Sequence, residues 1–483
     1  MTRKTRKKET KTLVYQELTA LLEHRSDEKS EHGEVFTPLE LVEEMCDAFP
    51  SSLWKQKDRV WLDPSAGIGH FSAVLFFRYM TGLSPLIRDS VQRAKHIIEK
   101  MLYMVEINPD NVRRCRDLFK RLCPSATPQI YQGDFLTGSF PPSWPSAFDA
   151  VVGNPPYNLG GTKRVGSKRT HIPFTERALT LLSPRGFLGF ICPPSYRQAG
   201  TPMNLLFQRD GGHFVYLHLF GAKETYQWFH IQGRVDLFLY QTGGKSGGGG
   251  GKTTVVDEYG VRSSVSLSLD RHIPNFGLPI FQKLYSLVEK HGHAEGHRTT
   301  VMTTVHADTF GCRGKHPLLH LMVEKGRRIY KTRKAHPLIG VPKLVINGLG
   351  VPYVFYDKKG MYGVSQTPIV ILRPSSETVE LLQSSLFIFI AWGLRLTGNN
   401  NLPYLLDAVP LTSLRTVMAR LTTSEKAWIA KHFPVPVSEE NDLMVPCVTG
   451  SRTQTRKKGR KAEEAEAEAE AEAEAEAEAE AAL

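Results

Sequence analysis

Seven short apolar runs mark the chain between residues 58 and 241: Arg59–Asp63, Met101–Ile107, Gln129–Gly133, Phe148–Gly153, Gly186–Cys192, Phe214–Phe220 and Val235–Gln241. Stretches of helical spacing separate them. Strands alternating with helices predict a doubly wound α/β sheet of Rossmann-like type. Upstream, residues 12–24 have helical apolar spacing, and a second helix follows Pro38 with Leu41, Val42 and Met45 on one face. Residues 82–100 read as a helix inserted between the first two strands.

From residue 252 to 415 the pattern is less regular, rich in His, Pro and short strand-like runs. It predicts a second, mixed domain, with further helical pieces in 416–446. The expected division is a disordered basic arm (1–11), a catalytic domain (12–270), a second domain (271–446) and a disordered tail (447–483).

Composition narrows the class. Apolar residues at 41% and charged residues at 23% fit a globular protein of 483 residues. No apolar run reaches the roughly 18 residues that a membrane span requires. The N-terminus is basic with no long apolar stretch behind it, which excludes a secretory signal on pattern. The six widely spaced cysteines read as reduced thiols of an intracellular protein, with cytoplasm, nucleus and virus-infected cell all open. The net charge of +12 includes ten glutamates in the Ala-Glu repeat after Lys461, so the rest of the chain stands at +22. A body that basic points to a polyanionic partner, nucleic acid first.

Two tempting motifs fail on spacing. Gly251-Lys252-Thr253 resembles the end of a P-loop, but the pattern needs glycine where Ser246 stands, and Thr253–Val256 is strand-like. The glycine-rich stretch 243–251 reads better as a solvated hairpin loop. Cys312, His316 and His320 do not match a standard zinc pattern, so no metal is expected.

The chemistry gathers at strand ends. Asp63-Pro64-Ser65-Ala66-Gly67-Ile68-Gly69-His70-Phe71 joins a strand to a helix through glycines, where a ligand can approach the backbone closely. Glu106 ends the second strand, where an acid can accept ribose hydroxyls. Asp134 ends the third and could accept from an adenine amino group. The fourth ends in Asn154-Pro155-Pro156-Tyr157. Its prolines fix two φ angles, so the Asn154 amide oxygen and the Pro155 carbonyl can face one amino group. Tyr157 offers a face for stacking a flat base. All four lie at carboxyl ends of strands of one predicted sheet, the edge where open α/β sheets bind ligands.

These motifs resemble the amino-group DNA methyltransferases that use S-adenosylmethionine. The likeness covers roughly residues 30–415, with the motif order of the gamma class of adenine-N6 enzymes. It implies a seven-stranded methyltransferase sheet and a target-recognition role for the second domain. Fused restriction–modification enzymes and viral methyltransferases resemble that domain more faintly, around Lys343–Gly348. By resemblance, S-adenosylmethionine contacts Phe36, Thr37, Pro38, Asp63, Ser65, Ala66, Gly67, Gly69, Phe71, Glu106, Ile107, Asp134, Phe135 and Asn154. Asn154, Pro155, Pro156 and Tyr157 form the catalytic motif. Tyr157 and Phe229, the latter within Tyr226–Phe229, would pack against the target base.

The expected reaction is methyl transfer to the N6 amino group of an adenine flipped from specific sites in double-stranded DNA. Lys163, Arg164, Lys168 and Arg169 form a basic loop after the catalytic motif, read as mobile until it meets phosphates. Arg327, Arg328, Lys331 and Arg333 read as contacts to the DNA backbone. The protein is expected to be monomeric, with a separate cognate restriction endonuclease left open as a partner. RNA adenine or protein glutamine methylation shares the Asn-Pro-Pro-Tyr chemistry and is the alternative; an inactive nucleic-acid-binding module is the second.

Overall fold

Strands covered on both faces read as unbroken apolar runs, and the first two strands show why the pattern was clear: every residue of β1 (Trp61–Asp63) and β2 (Leu102–Glu106) is buried. The computed structural model describes residues 37–157, 169–231, 233–244, 251–291, 315–323, 326–332, 335–347, 351–365, 368–395, 411–435 and 442–444. Several expectations lie outside these residues: the helix at 12–24, Phe36, the basic residues Lys163, Arg164, Lys168 and Arg333, Cys312, and the tail.

The chain divides into two compact units, Met1–Asp270 and Arg271–Leu483. The first holds β3 (Gln129–Gln132), β4 (Phe148–Gly153), β5 (Leu182–Cys192), β6 (His213–Leu219), β7 (Asp236–Gln241), β8 (Thr253–Val256) and β9 (Arg262–Val265) together with β1 and β2. The sheet order is β3-β2-β1-β4-β5-β7-β6-β8-β9. Strands β1 to β5 run parallel, and β7 is antiparallel to both β5 and β6. This is the doubly wound, Rossmann-like arrangement read from the sequence.

Two corrections apply. The sheet has nine strands, because β8 and β9 extend the expected seven beyond β6. The stretch 243–251 does not close a hairpin: β8 pairs in parallel with β6, which lies between β7 and β8. A strand's local pattern reports its burial and not its partner.

The turns from β1 and β2 into their helices are tight. Gly69, at φ 98°, precedes the helix His70–Gly82. Asn108 caps the helix Pro109–Leu122 through its Oδ1 and the Asp110 N–H, with Pro109 in the first turn. The insertion contains the helix Ser90–His96 and a π-helical turn, Ile97–Met101. Strand order reverses between β1 and β4, so the loops after these two strands open on the crevice at the switch point.

The second unit is mixed, as read. It has a four-stranded sheet, β14-β10-β11-β16, and a three-stranded sheet, β13-β12-β15. These comprise β10 (His316–Val323), β11 (Gly326–Thr332), β12 (Lys343–Ile346), β13 (Val354–Asp357), β14 (Gly363–Val364), β15 (Ile369–Leu372) and β16 (Asp442–Met444). Helices include Leu278–His291 and Ser385–Gly393. The charge of Lys343 is buried but matched: its Nζ donates to Asp357 at 2.6 Å and to the carbonyls of Leu338 and Val341.

Candidate active site

The loop after β1 is held from three sides. Ala66 N donates to the Val105 carbonyl on β2 at 3.0 Å. Gly67 N donates to Glu106 Oε2 at 2.7 Å, and Asn108 N donates to Glu106 Oε1 at 2.8 Å. The Glu106 carboxylate therefore fastens the glycine loop to the end of β2, a role the sequence did not show. Ile107, the next residue, is 66% exposed and offers an apolar surface beside that carboxylate.

Asp63 ends β1 and is almost wholly buried. Its Oδ1 accepts from Ser65 N at 3.2 Å, while its Oδ2 is buried with no hydrogen-bond partner among the described residues. Burial pushes its carboxyl up to about 8, and the nearby Glu106 charge adds to this. Gly153, at the end of β4, passes close by; a Cβ there would lie 3.1 Å from Asp63 Oδ1. Gly67 (φ 54°) and Gly69 (φ 98°) both adopt left-handed backbone.

The Asn154–Tyr157 motif follows Gly153 directly. Ser65 Oγ donates to the Asn154 carbonyl at 3.2 Å, tying the two loops together. The Asn154 side chain is held at both ends: Nδ2 donates to Thr37 Oγ1 at 3.1 Å, and Oδ1 accepts from the Tyr157 hydroxyl at 2.8 Å. His70 Nδ1 donates to the Thr37 carbonyl at 2.8 Å, and burial lowers the basicity of this imidazole. Pro155 is buried and Pro156 exposed.

The motif's far side is closed by residues that sequence reasoning missed. Thr170 N donates to the Tyr157 carbonyl at 3.1 Å, and Thr170 Oγ1 donates to the Pro156 carbonyl. His171 Nδ1 faces the Tyr157 carbonyl at 3.5 Å and its Nε2 lies 3.1 Å from Ser195 Oγ. Burial pushes this imidazole down to about 4, so it is neutral at ordinary pH. Its position at the start of the helix His171–Leu181, just beyond the basic loop, was the available signal.

Hydrogen bonds thus link Thr37, Asn154, Ser65 and Asp63 in one chain and Gly67 with Glu106 in a second, and the loop Ser65–Gly67 carries both. The remaining candidates vary. Pro38 precedes the helix Leu39–Ala48. Ala66 and Phe71 are buried. Asp134 turns its carboxylate onto its own loop, accepting from Leu136 N at 2.8 Å and Thr137 Oγ1 at 2.9 Å. Phe135 is buried against Phe174, with Arg177 over its ring. Phe229 is buried in the core cluster against which the half-buried Tyr157 also packs. Cys192 is a buried thiol, as read. Arg169 and Lys331 are exposed and Arg328 half-buried. Arg327 lies over the rings of Phe355 (4.6 Å) and Tyr362 (5.4 Å). Among the described residues no group of three or more His, Cys, Asp or Glu side chains is arranged to hold a metal, and no helix is long and apolar enough to cross a membrane.

Residues 84–211 match the family described as Eco57I restriction-modification methylase. A stretch of 77 residues is 39% identical to an uncharacterized adenine-specific methylase of Mycoplasma pneumoniae; it covers 15% of this chain and 18% of that protein. Solved structures with similar regions include the M protein of the type I restriction enzyme EcoKI (18% identity, TM-score 0.36, 53% of this chain and 54% of that one). Another is a nuclease-deletion mutant of the type ISP restriction–modification enzyme LlaGI with a DNA substrate mimic (13% identity, TM-score 0.45, 76% and 52%). A third is a modification subunit of a putative type I restriction enzyme from Vibrio vulnificus (16% identity, TM-score 0.37, 52% of each chain). The family and sequence matches agree with the motifs: the first unit resembles the S-adenosylmethionine-dependent adenine methylases of restriction–modification systems.

Proposed function

We propose that the protein transfers a methyl group from S-adenosylmethionine to the N6 amino group of an adenine flipped out of duplex DNA. One observation carries this reading: the Asn154 side-chain amide is held at the switch-point crevice, bonded through both its ends, while the Asn154 backbone carbonyl is tied to the glycine loop through Ser65. The family match and the adenine-specific relative support the choice of adenine.

The residues present fit the cofactor. The buried Asp63 Oδ2, without a hydrogen-bond partner among the described residues, suits an ammonium group, the left-handed Gly67 turns the loop tightly beside Glu106, and Glu106 next to exposed Ile107 suits a ribose and a flat ring. S-adenosylmethionine, when bound, supplies a methyl group activated on a sulfonium.

The chain's own residues do the rest. An exocyclic amino nitrogen is a poor nucleophile because its lone pair is conjugated with the ring. Asn154 Oδ1 and the Pro155 carbonyl accept its two hydrogens, which favours a tetrahedral nitrogen and exposes the lone pair. The Tyr157 hydroxyl now bonded to Oδ1 gives way to the incoming amino group, and its ring stacks on the base, with Phe229 as a further wall. The proton lost from the methylated nitrogen passes to solvent. Acceleration comes from positioning and from preorganised acceptors.

Arg169, the basic residues at 163, 164, 168 and 333, and Arg328 and Lys331 of the second unit meet phosphates in this reading. Arg327, engaged with two aromatic rings, braces that surface. The second unit recognises the target sequence, and the protein acts as a monomer inside the cell.

The test is transfer of a labelled methyl group from S-adenosylmethionine to unmethylated duplex DNA, followed by nucleoside analysis. Label in N6-methyladenine that is lost in Asn154→Ala supports the reading. No label in DNA, with label in RNA or a protein glutamine offered in parallel, overturns it.

A further inference from the structure

We propose that Thr37 is a positioning residue for the methyl transfer: its hydroxyl anchors the Nδ2 end of the Asn154 amide and so turns Oδ1 toward the target amino group. This rests on the reading of Asn154 as the acceptor given above.

The geometry is built from three segments distant in the chain. Thr37 is buried just ahead of the helix Leu39–Ala48. Its Oγ1 takes the Asn154 Nδ2–H at 3.1 Å, 117 positions away in sequence. Its carbonyl takes His70 Nδ1–H at 2.8 Å, which ties the same residue to the helix that follows the glycine loop. One residue therefore sets the catalytic amide against the cofactor loop.

An amide that is free to turn has two states, and only one is productive. With Nδ2 toward the crevice, two donors would face the two hydrogens of the target amino group, and no bond could form. The Tyr157 hydroxyl cannot keep the amide in the productive state, because it must leave Oδ1 when the base enters. Thr37 stays, because its bond is on the side of the amide away from Tyr157. Accepting from Nδ2 also polarises the amide and makes Oδ1 a stronger acceptor, as chained hydrogen bonds do.

The experiment uses the full chain and three proteins: wild type, Thr37→Val, which keeps the shape and removes the acceptor, and Thr37→Ser, which restores it. Thr37→Ala replaces Thr37→Val should that variant not fold. The first measurement is hydrogen exchange of the Asn154 side-chain amide in asparagine-¹⁵N protein, its signal identified by its loss in Asn154→Ala. Exchange is expected to be faster by about tenfold or more in Thr37→Val, as for a buried donor without an acceptor, and near wild type in Thr37→Ser. The second is single-turnover methyl transfer to duplex DNA, with affinities for S-adenosylhomocysteine and for DNA measured separately. The rate is expected to fall about 10- to 100-fold in Thr37→Val, with both affinities within about threefold and with recovery in Thr37→Ser.

Unchanged exchange in Thr37→Val overturns the proposal whatever the activity. So does a loss of S-adenosylhomocysteine affinity at unchanged rate, which makes Thr37 a cofactor contact only. An inactive wild type refutes the methyltransferase reading instead, and the exchange measurement still reports whether Thr37 holds Asn154.

Discussion

Replacing Asp63 with asparagine should change how stability depends on pH, in a direction fixed by the structure. The carboxyl sits 2% exposed at the end of β1, with one oxygen unpartnered among the described residues and the Glu106 charge nearby. Its ordinary value is 3.8, and the fold pushes it up to about 8. Between those values the folded protein keeps a proton that the unfolded chain releases. Stability is therefore highest at low pH and is lost as pH rises through about 8, at roughly 1.4 kcal/mol per unit within the window. From pH 6 to pH 8 the loss comes to about 2 kcal/mol, since the slope flattens near the folded value. For a unit of this size that is about 4–8 °C in melting temperature. Asp63→Asn keeps an acceptor for Ser65 N and has nothing to titrate, so its curve lacks this slope. The assay is calorimetric melting of both proteins across pH 6–8. The asparagine variant should gain on wild type as pH rises; curves that run parallel would refute the burial argument.

Other expectations follow from the same geometry. In the proposed reaction Asn154→Ala removes an acceptor of the transition state, so the single-turnover rate should fall about 100- to 1,000-fold while S-adenosylhomocysteine affinity changes little. Tyr157→Phe keeps the ring and removes the hydroxyl that competes for Asn154 Oδ1; KM for DNA should drop about fivefold, the worth of one hydrogen bond, whereas Tyr157→Ala should raise it. Gly69→Ala combines left-handed backbone with a Cβ placed 2.9 Å from Cys115 Sγ. It should cost about 2–4 kcal/mol in a denaturant titration and weaken cofactor binding.

Each of the seven runs read from the sequence overlaps a strand from β1 to β7, most plainly the central strands covered on both faces, and least so the edge strand β3, which has no buried residue. The opposite edge was less legible still. β9, Arg-Ser-Ser-Val, alternates between exposed and half-buried and carries no apolar signature, and β8 looked like a strand while its partner did not show. The motif residues were readable as types at strand ends, but the bonds among them were not. Glu106 looked like a ligand acid and also fastens the loop at Gly67 and Asn108. His171 showed only its place at a helix start, since it works through the backbone carbonyl of Tyr157 and the hydroxyl of Ser195. Contacts across more than a hundred residues, such as Thr37 to Asn154, belong to the topology and not to any local pattern.

The closure between Tyr157 and Thr170 separates two kinds of change. The chain leaves the Asn154–Tyr157 motif at Tyr157 and is bonded back to it at Thr170, through Thr170 N to the Tyr157 carbonyl and Thr170 Oγ1 to the Pro156 carbonyl. Whatever lies between those positions is an excursion whose two ends already meet. Doubling its length would add only about 0.6 kcal/mol of closure entropy, and the clasp keeps the strain from reaching Asn154. Changing the length of chain between those two ends should therefore leave the bonds of Asn154 to Thr37 and Tyr157 in place, so that what a graft there alters can be read separately from what residues 154–157 do.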